Sequence, residues 1–151
     1  MSRAFYRLIN VPVRALLRSP LHGLMSRNTL LLEFRGRRSG RALSTPISYH
    51  ERDAVLHAFT SAEFGWWRNL LQGEAYVVLR GRRLPVQAEV NATDDGEKAK
   101  ALDAFLRAVP RDAPHSGVTL REDGTPDPDD IARVVSGMVQ LTLRPLDEDG
   151  T

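Results

Sequence analysis

Short apolar runs separated by turns fill the middle of this chain, and they restrict its fold more than any other feature. Five of these runs are predicted β-strands: TLLLEFR (29–35), ALSTPISYH (42–50), AVLHAFTS (54–61), AYVVLRG (75–81) and LPVQAEVNA (84–92). Only a few residues connect the first three runs, whereas two parallel neighbours need a connection of about a dozen residues or more. The pattern therefore predicts antiparallel strands that follow one another along the chain.

Two helices are predicted between and after these strands. GWWRNLLQ (65–72) indicates a short helix that ends at Gly73. Asp94 and Glu97 form a capping box, and apolar residues at helical spacing after it predict a helix that ends near Pro110. We expect both to be small insertions in a β domain.

The last third of the chain is predicted to contain a loop, a short helix and one more strand. Residues 110–127 are rich in proline, glycine and charge, so we expect a long loop, either a lid over a site or a mobile connection. A helix that starts at Asp127 ends at Gly137, and MVQLTLRPL (138–146) supplies a sixth strand. Six antiparallel strands with short flanking helices predict an α+β domain built around a compact barrel.

The first 27 residues differ in character from residues 28–147, which we take as the main domain. Apolar residues recur there mostly three or four positions apart with arginines between them, which is typical of amphipathic helices. Two interpretations stay open: a basic segment lying on an anionic membrane surface, or helices packed on the protein's own domain with arginines in water. No apolar stretch reaches the roughly 18 residues that a membrane span requires, and the segment lacks the features of a signal peptide.

Composition argues against several kinds of chemistry. The chain has no cysteine, so it has no disulfide, thiolate metal site or cysteine nucleophile, and a cytoplasmic location is predicted. The four histidines, His22, His50, His57 and His115, are far apart and show no metal-ligand spacing. We therefore expect no metal site.

Positive charge is concentrated near the start of the chain. Residues 1–41 contain nine arginines and one acid, Glu33, whereas residues 42–151 contain twelve lysines and arginines against eighteen acids. Four of the arginines lie within residues 35–41, between the first two predicted strands. This segregation predicts a localised anionic partner, although a hairpin tip kept soluble by arginine is the alternative. Nucleic acid is not favoured, because no aromatic residues interleave the basic stretch.

The residues of this connection have the chemistry of an anion site. Gly36 and Gly40 allow backbone amide protons to turn toward one point, and Arg37, Arg38 and Arg41 can form bidentate hydrogen bonds with phosphate or carboxylate oxygens. Three guanidinium groups exceed the need of one phosphate. A ligand with several anionic groups is therefore favoured.

Five motifs follow one another in order between residues 28 and 92. They are GRRSGR (36–41), a Thr-Pro pair (45–46), a Thr-Ser pair (60–61), W-x-N-L (67–70) and V-x-L-x-G-R (77–82). In this order the set resembles the deazaflavin-dependent nitroreductase family. The resemblance implies a split β-barrel, related to FMN-binding oxidoreductases, that binds the deazaflavin coenzyme F420.

The resemblance also implies which residues contact the coenzyme. The phosphate and glutamate tail would be held by Arg37, Arg38, Ser39, Gly40 and Arg41. The tricyclic ring would lie beside Thr45, Pro46 and Ile47, and the same pocket would include Ser61, Trp67 and Asn69. No catalytic protein residue is implied, because the coenzyme itself supplies the hydride.

The function implied is an F420-dependent oxidoreductase that reduces a small-molecule acceptor. Between Ser61 and Trp67 the chain lacks the glycine- and proline-rich insertion of the family, and its last tyrosine is Tyr76, although tyrosines in the last third shape the family's nitro-acceptor site. The acceptor is therefore left open between a quinone-like, a nitro and another conjugated compound. Two alternatives are an FMN-binding split-barrel oxidoreductase and a non-catalytic cofactor- or lipid-binding protein at the membrane surface. Pairing into a homodimer is left open as well.

Overall fold

The structure is a computed structural model that describes residues 28–146. Its main feature is an antiparallel sheet of seven strands: β1 (Thr29–Arg35), β2 (Ala42–Ser48), β3 (His50–Arg52), β4 (Val55–Ser61), β5 (Glu74–Leu79), β6 (Arg82–Asn91) and β7 (Met138–Pro145). The strands lie side by side in the order β2-β1-β5-β6-β7-β4-β3. The predicted antiparallel arrangement is confirmed.

Alternation along the strands explains how the sheet forms its core. In β4, Leu56, Ala58 and Thr60 are buried while the residues between them are only partly covered. Leu30, Leu32 and Phe34 of β1 point to the same interior. One face of the curled sheet thus encloses a hydrophobic core, because successive side chains of a strand point to opposite faces.

The predicted number of six strands is wrong, because the predicted strand 42–50 is divided at Tyr49. β2 pairs with β1, whereas β3 pairs with β4 at the other end of the sheet. One residue, Tyr49, therefore joins the two edge strands, and the sheet has to curl to bring them together. Tyr49 is 2% exposed, and its amide donates a hydrogen bond of 2.8 Å to the carbonyl of Asn28.

Three α-helices cover one side of the sheet: α1 (Asp95–Ala108), α2 (Ala113–Ser116) and α3 (Pro128–Val134). Half of the predicted capping box of α1 is confirmed, since Asp94 Oδ1 accepts a hydrogen bond of 3.1 Å from the amide of Glu97, whereas the amide of Asp94 donates to Asn91 Oδ1 over 3.0 Å. A second apolar cluster joins the helices; its buried members are Leu102, Phe105, Leu106, Val109, Ala113, Val118, Ile131 and Val135. This cluster fixes the helices as one layer beside the sheet.

Residues 110–127 are more ordered than a long loop. They contain a 3-10 helix, Pro110–Asp112, followed directly by α2, and an isolated β-bridge pairs Leu120 with Pro126. Gly117 ends α2 with a φ of 77°. The compact first half of this segment forms a wall of the site described below.

Two predictions fall outside the described residues. The basic helical segment 1–27 and the last predicted domain residue, 147, are not among them. Within residues 28–146, no helix is long and apolar enough to cross a membrane.

Candidate functional site

A cleft of about 650 Å³ lies between the curled sheet and the helical layer. The side formed by the sheet and by the two 3-10 helices after β4 is largely apolar and aromatic; it includes Pro46, Ile47, Phe59, Thr60, Ser61, Phe64 and Trp66. On the sheet side, the cleft lies between β2 and β4. These two strands come close to each other because the second predicted strand is divided into β2 and β3, and β3 pairs with β4. Clefts of this size suit a cofactor-sized organic molecule.

The helical side of the cleft is polar. It is built mainly from the short helices at 110–116 and includes Arg111, Asp112, His115 and Ser116. The Arg111 Nη2 group donates a hydrogen bond of 2.9 Å to Thr29 Oγ1, and its Nε lies 3.8 Å from Asp112 Oδ1. A contact between residues 29 and 111 therefore attaches the polar wall to the start of β1.

The arginine-rich connection between β1 and β2, residues 36–41, is a tight bend held by its own hydrogen bonds. The Gly36 amide donates to the carbonyl of Arg41 over 2.9 Å, and the Gly40 amide donates to the carbonyl of Gly36 over 2.8 Å. Gly40 has a φ of 69°, which favours glycine. Arg35 Nη1 adds a bond of 2.9 Å to the carbonyl of Gly40. The bend is thus a defined structure.

The guanidinium groups of the bend carry charge that the described part of the chain does not neutralise. Arg37, Arg38 and Arg41 are exposed. Within residues 28–146, no carboxylate lies within 4.0 Å of any of the three. As far as the described residues are concerned, these side chains are available to an anion.

The bend and the cleft lie at opposite ends of β2. Arg41 and Pro46 are five residues apart, which corresponds to about 16 Å along a strand. Five predicted site residues in the bend therefore do not line the cleft: Arg37, Arg38, Ser39, Gly40 and Arg41. A single ligand can contact both places only if it is long, with its anionic end at the bend.

A 3-10 helix, Trp66–Gln72, connects the two places. Trp66 lines the cleft at one end of this helix and stacks on Phe34, with ring centroids 5.6 Å apart. Asn69 Nδ2 donates to the Trp66 carbonyl over 2.8 Å, and Asn69 Oδ1 accepts from the Arg37 amide over 2.9 Å. The position of the arginine bend is therefore tied to the aromatic wall of the cleft.

The other predicted site residues fall into two groups. Pro46, Ile47 and Ser61 line the cleft. Thr45 is 1% exposed and is not among the lining residues. Trp67 is not a lining residue either: its Nε1 donates to the Ala62 carbonyl over 3.2 Å, and the Arg68 guanidinium lies 4.6 Å from its ring centroid.

Most of the cleft residues were not predicted as site residues, and three of these bear on the chemistry of the cleft. Trp66 takes the place expected for Trp67, Thr60 was named only as part of the Thr-Ser motif, and Arg111 was not singled out. Trp66 Nε1 and Thr60 Oγ1 are buried and have no hydrogen-bond partner within residues 28–146. The alternation of β4 could have placed Thr60 inward. No local pattern marks Arg111.

A second cleft of about 740 Å³ lies between α1 and the strands β3, β4, β6 and β7. His50 and His57, direct partners across β3 and β4, stack there with ring centroids 5.0 Å apart. Burial, followed by His57 and Arg52, lowers the pKa of His50 to about 4. Burial also lowers the pKa of His57. Among residues 28–146, no three metal-ligating side chains come close enough to hold a metal ion.

No protein-family model matches the chain, and no curated protein matches it. Several solved structures are similar in fold, and three of them illustrate the likeness. A candidate pyridoxamine 5′-phosphate oxidase from Listeria innocua has a TM-score of 0.53 and 8% identity, covering 89% of this chain and 91% of that one. A candidate 5-nitroimidazole antibiotic resistance protein from Bacteroides thetaiotaomicron has a TM-score of 0.54 and 12% identity, covering 92% and 82%. An FAD-binding protein from Mesorhizobium loti has a TM-score of 0.51 and 16% identity, covering 82% and 85%.

These likenesses define the fold class. The chain shares with these proteins an α+β fold with an antiparallel curled sheet, as the sequence predicted, although the sheet has seven strands and not six. At identities of 8% to 16% the likeness concerns the fold alone. Membership of the deazaflavin-dependent nitroreductase family stays a prediction.

Proposed function

We propose that this chain is an F420-dependent oxidoreductase that transfers hydride from the reduced coenzyme to a quinone-like, nitro or other conjugated acceptor. The observation that supports it best is the hydrogen-bond path from Arg37 through Asn69 to Trp66, which couples an anion-binding bend to an aromatic cleft. The split-barrel fold is consistent with this proposal.

The residues present fit such a coenzyme at both ends. Arg37, Arg38 and Arg41 supply three guanidinium groups, without an acidic partner among residues 28–146, for a tail that carries a phosphate and several carboxylates. Pro46 and Ile47 offer an apolar wall for a planar ring in the cleft. The separation of about 16 Å along β2 requires an extended molecule, and a long anionic tail attached to a ring satisfies that requirement.

The protein would bind, orient and shield the reactants. When bound, the coenzyme supplies the hydride, so the chain needs no nucleophile of its own. Phe59, Phe64 and Trp66 would exclude water from one side of the ring site, while Ser61 and Thr60 offer hydroxyl groups along β4. The acceptor would lie between the ring and the helical wall at 110–116, since hydride transfer needs close and aligned reactants.

The first experiment is a fluorescence titration of the full chain with F420. We expect quenching with a micromolar dissociation constant for the wild type and about 10- to 100-fold weaker binding for Arg38→Ala, the scale of a charged hydrogen bond. Arg82→Ala is the matched control. Arg82 is also an exposed hairpin arginine with no carboxylate within 4.0 Å among residues 28–146, but its turn, between β5 and β6, lies at the opposite end of the sheet.

The same preparation should be titrated with FMN. Tighter binding of FMN than of F420 would contradict the proposal and favour the FMN-binding alternative. F420 binding without reduction of any quinone, nitro compound or enone would favour the non-catalytic carrier. Equal loss of affinity in Arg38→Ala and Arg82→Ala would show that the bend does not recognise the tail.

Other predictions about partners and location are unchanged by the structure. We propose a cytoplasmic protein that does not bind nucleic acid, and light scattering of the purified chain would show whether it forms a homodimer. Contact of residues 1–27 with a membrane surface can be measured by liposome co-sedimentation of the full chain. Loss of sedimentation on deletion of 1–27 would support that contact.

A further inference from the structure

We propose that Arg111 recognises the acceptor by binding the carbonyl oxygen of a neutral conjugated ketone or quinone in the cleft. The inference rests on the proposed function, because it concerns the second substrate of the same site. It deepens that function by choosing a class of acceptor and a residue that selects it.

The charges around the cleft favour a neutral acceptor. Among the described residues that line it, Arg111 is the only arginine or lysine, whereas Glu63 and Asp112 are both acids. An anionic acceptor would meet two carboxylates and one guanidinium group. A neutral molecule with a polarised carbonyl can take hydrogen bonds from Arg111 without that repulsion.

The contacts of Arg111 hold its guanidinium group in place without using all its donors. Nη2 donates to Thr29 Oγ1 over 2.9 Å, and Nε lies 3.8 Å from Asp112 Oδ1. The side chain is 54% exposed. A guanidinium group has five N–H donors, so several stay available for a ligand in the cleft.

This arrangement suits the charge that develops during reduction. A bound reduced deazaflavin would supply a hydride, which would form a C–H bond at the β-carbon of an enone; the π pair of the C=C bond would then move toward the carbonyl and leave an enolate oxygen. The enolate would take a proton from solvent at the exposed side of the cleft, where His115 lies, and give the saturated ketone. The enone would gain two electrons and the deazaflavin would lose two. Guanidinium donors placed at such an oxygen stabilise the negative charge.

The test separates recognition of a carbonyl from general packing. Binding of α-tetralone and of tetralin, the same ring system without the carbonyl, is measured by saturation-transfer NMR on the coenzyme-free chain. We expect Arg111→Met to weaken α-tetralone about tenfold, the scale of a charged hydrogen bond, and to leave tetralin within about twofold. Arg111→Lys should restore part of the preference, because it keeps a charged donor.

A structural role of Arg111 makes a different prediction. Thr29→Val removes the 2.9 Å hydrogen bond but keeps the guanidinium group. Equal weakening of both probes in Arg111→Met, or a loss of α-tetralone binding in Thr29→Val as large as in Arg111→Met, would overturn the proposal. The F420 titration is independent of these probes. If F420 does not bind but the preference for α-tetralone over tetralin still depends on Arg111, the proposed oxidoreductase function is rejected. If F420 binds but that preference does not depend on Arg111, only the role of Arg111 is rejected.

Discussion

The backbone amide of Arg37 donates a hydrogen bond of 2.9 Å to the side-chain oxygen of Asn69, 32 residues away in the chain. Through this bond the Trp66–Gln72 helix sets the position of the arginine bend. The same asparagine donates to the carbonyl of Trp66, which lines the cleft. One side chain thus relates the anion-binding and the aromatic parts of the candidate site.

We expect Asn69→Ala to weaken F420 binding without removing any charge. Loss of the bond to Arg37 leaves the bend free to adopt other conformations, and ordering it again on binding costs about 1 kcal/mol, or about fivefold in affinity. Gln72→Ala, at an exposed position of the same helix, is the control. A dissociation constant unchanged in Asn69→Ala, measured by the same titration, would show that the bend is rigid without Asn69.

Gly40→Ala should lower both stability and coenzyme affinity. Gly40 has a φ of 69° and a Cβ there would meet nothing within 4 Å, so the cost of about 1 kcal/mol comes from the backbone alone. Gly124→Ala is a close match, with a φ of 85° and equally open surroundings away from both clefts. Urea unfolding should show a similar decrease in the free energy of unfolding for the two variants, whereas only Gly40→Ala should weaken F420 binding.

Lys98→Met should destabilise the fold strongly. Lys98 is fully buried, and its Nζ lies 2.8 Å from Asp95 Oδ1 and donates to the carbonyl of Met138 over 3.0 Å. Removing the ammonium group leaves the partly buried carbonyl groups of Ala92 and Met138 without this donor, so we expect a loss of about 2–4 kcal/mol in the free energy of unfolding. Lys100→Met, on the exposed side of α1, should change it by less than about 0.5 kcal/mol.

The protein should become less stable as the pH is lowered, because His50 is partly buried in its neutral form. Its pKa is lowered from 6.5 to about 4 in the folded chain, by burial and then by His57 and Arg52. Between pH 6.5 and pH 4 the unfolded chain protonates this histidine and the folded chain does not. The stability contributed by neutral His50 is therefore fully present above pH 6.5 and is lost as the pH falls toward 4. Because the ring is partly exposed, we expect a loss of about 1–2 kcal/mol.

The measurement for His50 is urea unfolding at pH 7.5 and pH 4.5 on wild type and His50→Gln. Carboxylates titrate in both proteins, so their contribution cancels in the difference between them. The wild type should lose more stability than the variant between the two pH values. An identical loss in both would show that His50 is protonated in the folded state without cost.

Local patterns were enough for most of the strands. The predicted strand 29–35 coincides with Thr29–Arg35, and the prediction 54–61 differs from Val55–Ser61 by one residue. Alternation of apolar residues reports which face of a strand is covered, and that information lies within a few neighbouring residues. The cap of α1 at Asp94 is equally local.

Local sequence patterns did not predict most of the residues that line the cleft. The tryptophan that lines it is Trp66, and Trp67 packs elsewhere. The helix that carries them is a 3-10 helix with three residues per turn, so an α-helical spacing does not say which ring points inward. Arg111 lies in a segment that the sequence predicted to be a loop, and its contact with Thr29 spans 82 residues.

The sequence by itself determined an antiparallel α+β chain with a concentrated positive charge between its first two strands, because strand periodicity, connection length and charge are properties of neighbouring residues. Only the tertiary structure decided that one strand breaks at Tyr49 to join both edges of the sheet, and that the arginine bend lies at the far end of β2 from the cleft. Those relationships depend on how the curled sheet brings distant segments together, and no short stretch of sequence carries that information.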